Sequence, residues 1–292
     1  MATFNVSAGS APTIRACNLN EGYRGIQILS GAAPTIRNTA INQMTLVPVY
    51  MTIDANPVFG NIMLDSPSGN GTDAIELYGG SVLGTANISR PSATIDGIPT
   101  NSLAYQVSAT IVIDAGESLN VEPGVVLKFN AGVYVSNSGL LTALGGATAD
   151  SLIYFTSIDD DNAPAPLGQD TNINGNNTFP DANDWAGIRF FDASDDASVL
   201  RNCQIYFAGY NTSSYGAVHC DNASPTLRNC NLKAATYGLK CVGVSNPALY
   251  NSSINAMLCR RTSGCDGHAA CCPLARPPGM SVSKSGRSGG QC

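Results

Sequence analysis

The chain has 292 residues, a net charge of −6 and 12% charged residues, about half the usual share for a globular domain. Apolar residues make up 43% of the chain, which is enough to form a core. Abundant Gly, Asn, Ser and Thr argue against a helical protein, because these residues favour turns and caps over helix interiors. The acidic balance argues against nucleic acid as a partner, since such sites concentrate Lys and Arg.

No stretch approaches the roughly 18 consecutive apolar residues that a membrane span requires, so the sequence predicts no membrane-spanning helix. The first residues also lack the basic segment and apolar core of a secretory signal. They begin within a repeat, and we interpret the chain as a piece of a longer protein.

Five segments along the chain repeat one short pattern. They are PTIRACNL (12–19), PTIRNTAI (34–41), SVLRNCQI (198–205), PTLRNCNL (225–232) and PALYNSSI (247–254). The first two segments, and also the last two, are 22 residues apart, whereas the step from Asn202 to Asn229 is 27. One repeat therefore carries an insertion.

A period near 22 with alternating strands and no helical segment predicts a parallel β-solenoid. One circuit cannot bury its apolar face alone, so successive circuits stack and share a core. Equivalent residues then form rows. Two rows are predicted to point inward, and they contain Ile14, Ile36, Leu200, Leu227 and Leu249 in one and Leu19, Ile41, Ile205, Leu232 and Ile254 in the other.

Asparagines are predicted to stack at one corner of the circuits. Asn tolerates the left-handed backbone conformation that such corners need, and its amide can bond neighbouring circuits. The four predicted corner residues are Asn38, Asn202, Asn229 and Asn251.

The middle of the chain carries further segments in a characteristic order. They are TIVIDAGESLNVEPGVVLKF (110–129), SGLLTALGG (138–146), SLIYFTSIDDD (151–161), DTNINGNNTFPDANDWAGIRFF (170–191) and LRNCQIYFAG (200–209). Together with the repeats, these segments resemble the right-handed parallel β-helix repeats of bacterial surface proteins, within the pectate-lyase-like solenoid superfamily. The resemblance covers roughly residues 10 to 257 and implies an all-β fold and an extracellular or cell-surface location.

The same resemblance divides the chain. Residues 1–85 are expected to be the last circuits of one module, 86–104 a junction, and 105–257 a second module with an acidic insertion at 157–184. Residues 258–292 differ sharply in composition, with Arg, Pro, Gly and five of the ten cysteines, and we expect a disordered tail. A zinc knuckle with His268 or a small disulfide knot is the alternative, although no two C-x-x-C pairs stand at finger spacing.

The other five cysteines occupy repeat positions. Cys17, Cys203 and Cys230 share one position, and Cys220 and Cys241 share another. We expect free thiols that fill narrow inward positions, because free Cys is among the most buried residue types. A disulfide between circuits is the alternative, but parallel Cβ vectors do not suit one.

The segment DTNINGNNTFPD resembles the spacing of a calcium-binding loop, in which oxygen-bearing side chains alternate before a glycine turn. Asp181 stands where such loops have Glu, and no helices flank it. The predicted structural calcium ligands are Asp170, Asn172, Asn174 and Asp181. A solvated acidic loop is the alternative.

The superfamily also contains polysaccharide lyases that use calcium and a basic residue on polyuronates. The matching candidates are two outward arginine pairs, Arg15 with Arg37 and Arg201 with Arg228, which alternatively are solvated side chains. His219 is expected to face outward between two inward residues. Trp185 is expected to pack at the start of a strand, with sugar stacking as its alternative.

These observations favour a non-catalytic extracellular repeat protein that acts as an elongated scaffold or adhesin and contacts polysaccharide or other surface glycans. The alternative is a polysaccharide lyase or glycoside hydrolase, which requires a cleft where acidic and basic side chains from neighbouring circuits converge. No catalytic residue is assigned from the sequence.

Overall fold

The computed structural model describes residues 2–65, 69–100, 102–164, 168–175, 177–209, 215–233, 235 and 237–255. Within these ranges the chain forms 26 β-strands and one 3₁₀ helix of three residues, Ala149–Ser151. The predicted all-β fold is confirmed, and the strands pair mostly in parallel. The described ranges contain no helix long and apolar enough to cross a membrane.

The strands of the amino-terminal part stack at the predicted repeat spacing. Ile14 pairs with Ile36 and Leu19 with Ile41, each in a parallel register. The strands of this part are β1 Ala2–Val6, β2 Thr13–Arg15, β3 Asn18–Ile28, β4 Thr35–Thr52 and β5 Val58–Leu64.

The remaining strands enter three parallel sheets in a repeated order. Sheet A contains β6 Ile75–Tyr78, β11 Tyr105–Val107, β14 Val126–Phe129, β17 Ile153–Ser157, β20 Cys203–Tyr206, β23 Asn231–Lys233 and β26 Ser253–Asn255. Sheet B contains β7 Gly80–Ser81, β12 Ile111–Ile113, β15 Val135–Asn137, β18 Ile188–Phe190, β21 Val218–Asp221 and β24 Leu239–Val242. Sheet C contains β8 Thr85–Ile88, β13 Ser118–Val121, β16 Leu140–Leu144, β19 Val199–Arg201, β22 Thr226–Arg228 and β25 Ala248–Tyr250.

One hairpin interrupts this order. Strands β9 Ala93–Ile95 and β10 Ile98–Thr100 pair antiparallel, and β9 also pairs with β5. The amino-terminal strands join sheet A through β4, whose residues Val49 to Thr52 pair with β6. Parallel pairing therefore continues from the amino-terminal strands into β6 and β11. The division into modules at 85 and 105 stays a prediction, and the tail 258–292 lies outside the described residues.

The two inward rows lie where the repeat predicts them. Ile36, Leu200, Leu227, Ile41 and Leu232 are fully buried in one continuous apolar core. Leu249 and Ile254 belong to the last described circuit and are only partly buried. Among the residues that the structure describes, this circuit has a neighbouring circuit on one side alone.

The predicted asparagine corners adopt the left-handed conformation, with φ between 47° and 52° at Asn38, Asn202, Asn229 and Asn251. The Asn202 amide donates a 2.7 Å hydrogen bond to the Gly145 carbonyl. Asn61 has the same conformation, with φ of 60°. Strand β5 is thus a further repeat that the sequence pattern did not identify.

The side chain of the residue after each of the four predicted asparagine corners donates a hydrogen bond to the carbonyl two positions earlier. Cys203 Sγ bonds the Arg201 carbonyl at 3.4 Å, and Cys230 Sγ bonds the Arg228 carbonyl at 3.5 Å. Thr39 and Ser252 make the equivalent bonds with their hydroxyls. The position accepts Cys, Thr and Ser because each is small and carries a donor. All five described cysteines are free, as expected.

Candidate functional site

The acidic insertion between β17 and β18 folds back over the outer face of sheet A. Gln169 ties it there, because its side-chain oxygen accepts the Ala104 amide at 3.0 Å and its side-chain nitrogen donates to the Asp73 carbonyl at 2.8 Å. Ala163 packs with Val126 and Tyr154 in a small second apolar cluster. These contacts hold the insertion against the rest of the fold.

The four predicted calcium ligands lie in different surroundings. Asp170 uses both carboxylate oxygens to accept backbone amides, from Asn174 at 3.2 Å and Gly175 at 2.8 Å. Asn172 Nδ2 donates to Asp159 Oδ1 at 3.0 Å. Asp181 contributes its backbone amide, which donates to the Asp184 carboxylate at 2.9 Å. Asp170 thus organises the turn itself, as the first residue of a calcium loop does.

Three oxygens in the described part of this loop are buried and have no hydrogen-bond partner among the described residues: Asp161 Oδ1, Asn172 Oδ1 and Asn174 Oδ1. Such oxygens fit a hard cation, which takes oxygen ligands. In the described part of the chain, however, no group of three or more His, Cys, Asp or Glu side chains converges as a metal centre would. A calcium ion here would need amide or backbone oxygens in addition to at most two carboxylates, and its presence stays a prediction.

The protein supplies a cation of its own beneath the loop. Lys128, on the outer face of β14, is fully buried, and its ammonium donates to the Gln169 carbonyl. Burial lowers its pKa to about 8, against the opposing effect of the carboxylates of Asp160, Asp161 and Asp170. Burial, followed by the charge of Asp170, raises the pKa of Asp161. Lys128 therefore offsets part of the negative charge for which calcium was predicted.

Lys128 was not identified from the sequence. The sequence does show a lysine in the otherwise apolar segment VVLKF. Its hydrogen-bond partner, the Gln169 carbonyl, is far along the chain and could not be identified from the sequence.

A cleft of about 750 Å³ lies between this insertion and the β9–β10 hairpin. Among the described residues, its charged lining residues are one arginine and four aspartates: Arg90, Asp73, Asp96, Asp150 and Asp170. Its apolar wall includes Ile95, Ile98, Pro99, Leu152, Tyr154 and Ile173. The cleft combines carboxylates, one guanidinium and apolar side chains, a combination suited to a ligand with many hydroxyl groups.

Arg90 anchors one side of the cleft. Its Nη2 lies 3.9 Å from Asp150 Oδ2, and its backbone amide donates to Glu122 at 3.2 Å. A hydrogen bond from Thr148 lowers the pKa of Asp150, which keeps this carboxylate ionised. Because Arg90 follows β8 and Asp150 lies between β16 and β17, the pair joins different circuits.

The predicted arginine pairs stand elsewhere. Arg15 pairs in register with Arg37, and Arg201 with Arg228, and all four are exposed. None of them lines the cleft.

Trp185 is a core residue, as the packing interpretation predicts. It is fully buried and stacks on Phe129 with ring centroids 4.2 Å apart. Its indole Nε1 donates to the Tyr206 carbonyl at 2.7 Å. No face of Trp185 is therefore available for a sugar.

His219 lies on the outer row of sheet B, paired with Arg189 and Lys240 on the strands beside it. It is only 5% exposed, since Tyr215 packs edge-on with ring centroids 5.1 Å apart. Burial, and then the charge of Lys240, lower the pKa of His219 to about 4. The imidazole is neutral near pH 7.

A scan against protein-family models, a search of curated proteins and a search of solved structures each found no match to this chain.

Proposed function

We propose that the chain is a segment of an extracellular or cell-surface protein, a right-handed parallel β-helix that serves as a non-catalytic scaffold or adhesin. The observation that carries this proposal is the repeated order in which strands enter sheets A, B and C, with each circuit in register on the last. Such an array extends simply by adding circuits, and it leaves long regular outer faces for binding.

The right-handedness of the proposed β-helix is inferred from its parallel connections. Connections that cross over from one strand to a parallel strand of the same sheet are right-handed in about 98% of cases. Every circuit from β11 onward makes such a connection in sheet A.

The glycan contact of this proposal lies in the cleft between the hairpin and the acidic insertion. Carboxylates accept hydrogen bonds from sugar hydroxyls, and the exposed side chains of Ile98 and Ile173 offer apolar surface. Structural calcium would order the loop through Asp170, Asn172 and Asn174, with Asp181 as the fourth predicted ligand. The unpartnered amide oxygens of Asn172 and Asn174 support this part of the proposal.

A polysaccharide lyase or glycoside hydrolase is the second candidate. The cleft favours it, because Arg90 and aspartates from several circuits line the same space. Glycoside hydrolysis uses two carboxyl groups about 5–10 Å apart, and four aspartates lie around this cleft. At this cleft, the two candidates differ in whether the bound glycan is cleaved or released intact.

The deciding experiment incubates the full chain with a panel of neutral and acidic polysaccharides, with and without calcium. Retention on the protein is measured, and the recovered sugars are analysed by mass spectrometry. Intact, retained sugar supports the scaffold or adhesin. Shortened or unsaturated sugar identifies an enzyme, and intact sugar without retention contradicts the glycan contact.

A matched pair of variants locates the contact. Asp150→Asn removes an exposed carboxylate of the cleft, whereas Asp114→Asn removes an exposed carboxylate outside its lining. We expect the first variant to weaken retention and the second to leave it unchanged. Equal effects would place the contact elsewhere.

A further inference from the structure

Arg189 lies on the outer face of sheet B, where two tyrosines hold its guanidinium. Its Cζ is 3.9 Å from the ring centroid of Tyr134 and 3.6 Å from that of Tyr215. Because β15 and β21 flank β18, the two rings approach from opposite neighbouring circuits. Nε donates to the Ala186 carbonyl at 3.4 Å. These contacts fix the plane of the guanidinium, and its other N–H groups have no partner among the residues that the structure describes.

His219 and Lys240 occupy the equivalent positions on the next two strands of sheet B. His219 pairs in register with Arg189, and Lys240 pairs in register with His219. Successive strands place the three about 4.8 Å apart along the stack. His219 is 5% exposed, and its Nδ1 has no hydrogen-bond partner in the described structure. We call Arg189, His219 and Lys240, with Tyr134 and Tyr215, the sheet B row.

Arg189 has no carboxylate partner within the described part of the chain. The ion pairs found there are Arg24 with Glu76 and Arg90 with Asp150. The carboxylate that influences His219 is Asp221, two positions further along the same strand. The row thus brings an arginine and a lysine together on a chain whose net charge is −6, with Arg189 more exposed than Lys240, which is 9% exposed.

We propose that the sheet B row is a docking surface for an acidic peptide segment of a partner protein, whose carboxylates pair with the Arg189 guanidinium. A guanidinium matches a carboxylate with two parallel hydrogen bonds, and a fixed plane lowers the entropy lost on binding. Arg and Tyr are also the residues most enriched among the dominant contacts of protein interfaces. Complementary charge selects an acidic partner over neutral ones.

The geometry favours a peptide over a glycan. A sugar ring stacks on an open aromatic face, whereas the faces of Tyr134 and Tyr215 that meet this row are covered by Arg189. What remains is a set of charged and hydrogen-bonding edges. The surface is on a different sheet from the cleft, so it does not depend on glycan binding there.

The test uses the full chain and a fluorescent eight-residue peptide in which Glu alternates with Ser. A matched peptide carries Gln at each Glu position. Fluorescence anisotropy at low salt should show binding of the Glu peptide and at least about tenfold weaker binding of the Gln peptide, as expected for charged hydrogen bonds. Added salt should weaken the complex.

Three variants separate the row from general charge. Arg189→Gln should weaken Glu-peptide binding about tenfold or more. Arg189→Lys keeps the charge but loses the planar fork, and it should also bind more weakly. Arg201→Gln removes an exposed arginine of sheet C and should bind within about twofold of the unsubstituted protein. Melting temperatures verify that each variant is folded. If Arg189→Gln is unfolded, Arg189→Lys alone tests the role of the guanidinium.

Failure of the unsubstituted chain to bind the Glu peptide would overturn the proposal. Equal binding by the Arg189 variants, or equal affinity for the two peptides, would overturn it as well. Displacement of the peptide by a uronic acid oligosaccharide at lower concentrations than by unlabelled peptide would assign the row to a glycan and contradict the peptide.

Discussion

The side-chain amide of Asn229 donates a 3.0 Å hydrogen bond to the side-chain oxygen of Asn202 on the neighbouring circuit. Both residues have left-handed backbone conformations, with φ of 52° and 51°. One residue type therefore performs two tasks at this corner. It tolerates a conformation that costs most residues about 1–2 kcal/mol, and it links adjacent circuits.

Replacement of Asn229 should separate these tasks. Asn229→Gly removes the hydrogen bond but accepts the backbone, whereas Asn229→Ala also incurs the left-handed strain. We expect the Ala variant to lose about 2 kcal/mol of unfolding free energy and the Gly variant to lose less. Denaturant unfolding measures both, with the exposed strand residue Asn18→Ala as control. Equal stability of the Gly and Ala variants would contradict the strain argument.

The repeat predicted the rows and corners because each depends only on spacing along the chain. Ile14 and Ile36 pair as the 22-residue period requires, and Asn202 follows the same rule. Strand β5 was missed because Phe59 and Gly60 replace the usual Ile and Arg. The backbone of β5 still follows the repeat, so the repeat is visible in the structure although the side chains no longer match the sequence pattern.

The cleft and the sheet B row could not be predicted from spacing. Lys128 is covered by Gln169, and Arg189 is held by Tyr134 and Tyr215 from separate circuits. Each arrangement depends on where an insertion folds back or where a side chain leans. A register drawn from the repeats could have placed His219 beside Arg189, but not the rings around them.

Leu227 provides a test of the shared core. It is fully buried and pairs with Leu200 and Leu249 on the circuits beside it. Leu227→Ala should reduce the unfolding free energy by about 2–5 kcal/mol, because a cavity adds to the lost burial. Leu83, which is 65% exposed, supplies the control Leu83→Ala. Similar losses from both variants in denaturant unfolding would exclude a shared core at Leu227.

His219 should make stability depend on pH in the acid range. Its pKa is lowered to about 4 in the folded chain by burial and by Lys240, with Arg189 acting in the same direction and Asp221 opposing. The unfolded chain then binds more protons between pH 6.5 and 4, so stability falls as pH falls through this window. His219→Gln should lose this part of the dependence. An unchanged slope in thermal melts from pH 7 to 4 would show that His219 is protonated normally.

Calcium should raise the melting temperature if it orders the acidic insertion. Asp170→Ala should abolish the increase, while Asp114→Ala, an exposed carboxylate outside the insertion, should retain it. The Asp170 variant will also melt lower without calcium, since Asp170 accepts two backbone amides. The informative quantity is therefore the increment on adding calcium to each variant. No increment in the unsubstituted chain would eliminate the ion site.

Lys128 should make the folded state more stable as the pH rises above 8. Its pKa is about 8 when folded because burial penalises the ammonium, and about 10.5 when unfolded. Between these values the unfolded chain binds more protons, so the unfolding free energy increases with pH, by up to about 3 kcal/mol over the window. Tyrosines of the unfolded chain titrate near pH 10, and the comparison with Lys128→Met removes their contribution.

The informative quantity is the difference in unfolding free energy between the unsubstituted chain and Lys128→Met. Denaturant unfolding at pH 8 and pH 10.5 should show the unsubstituted chain gaining stability relative to Lys128→Met. The variant also leaves Asp160, Asp161 and Asp170 without their internal cation, so its absolute stability near pH 7 reports a second effect. A constant difference across the window would mean that the ammonium is as well solvated in the folded chain as in the unfolded one, and that the insertion does not seal Lys128 from water.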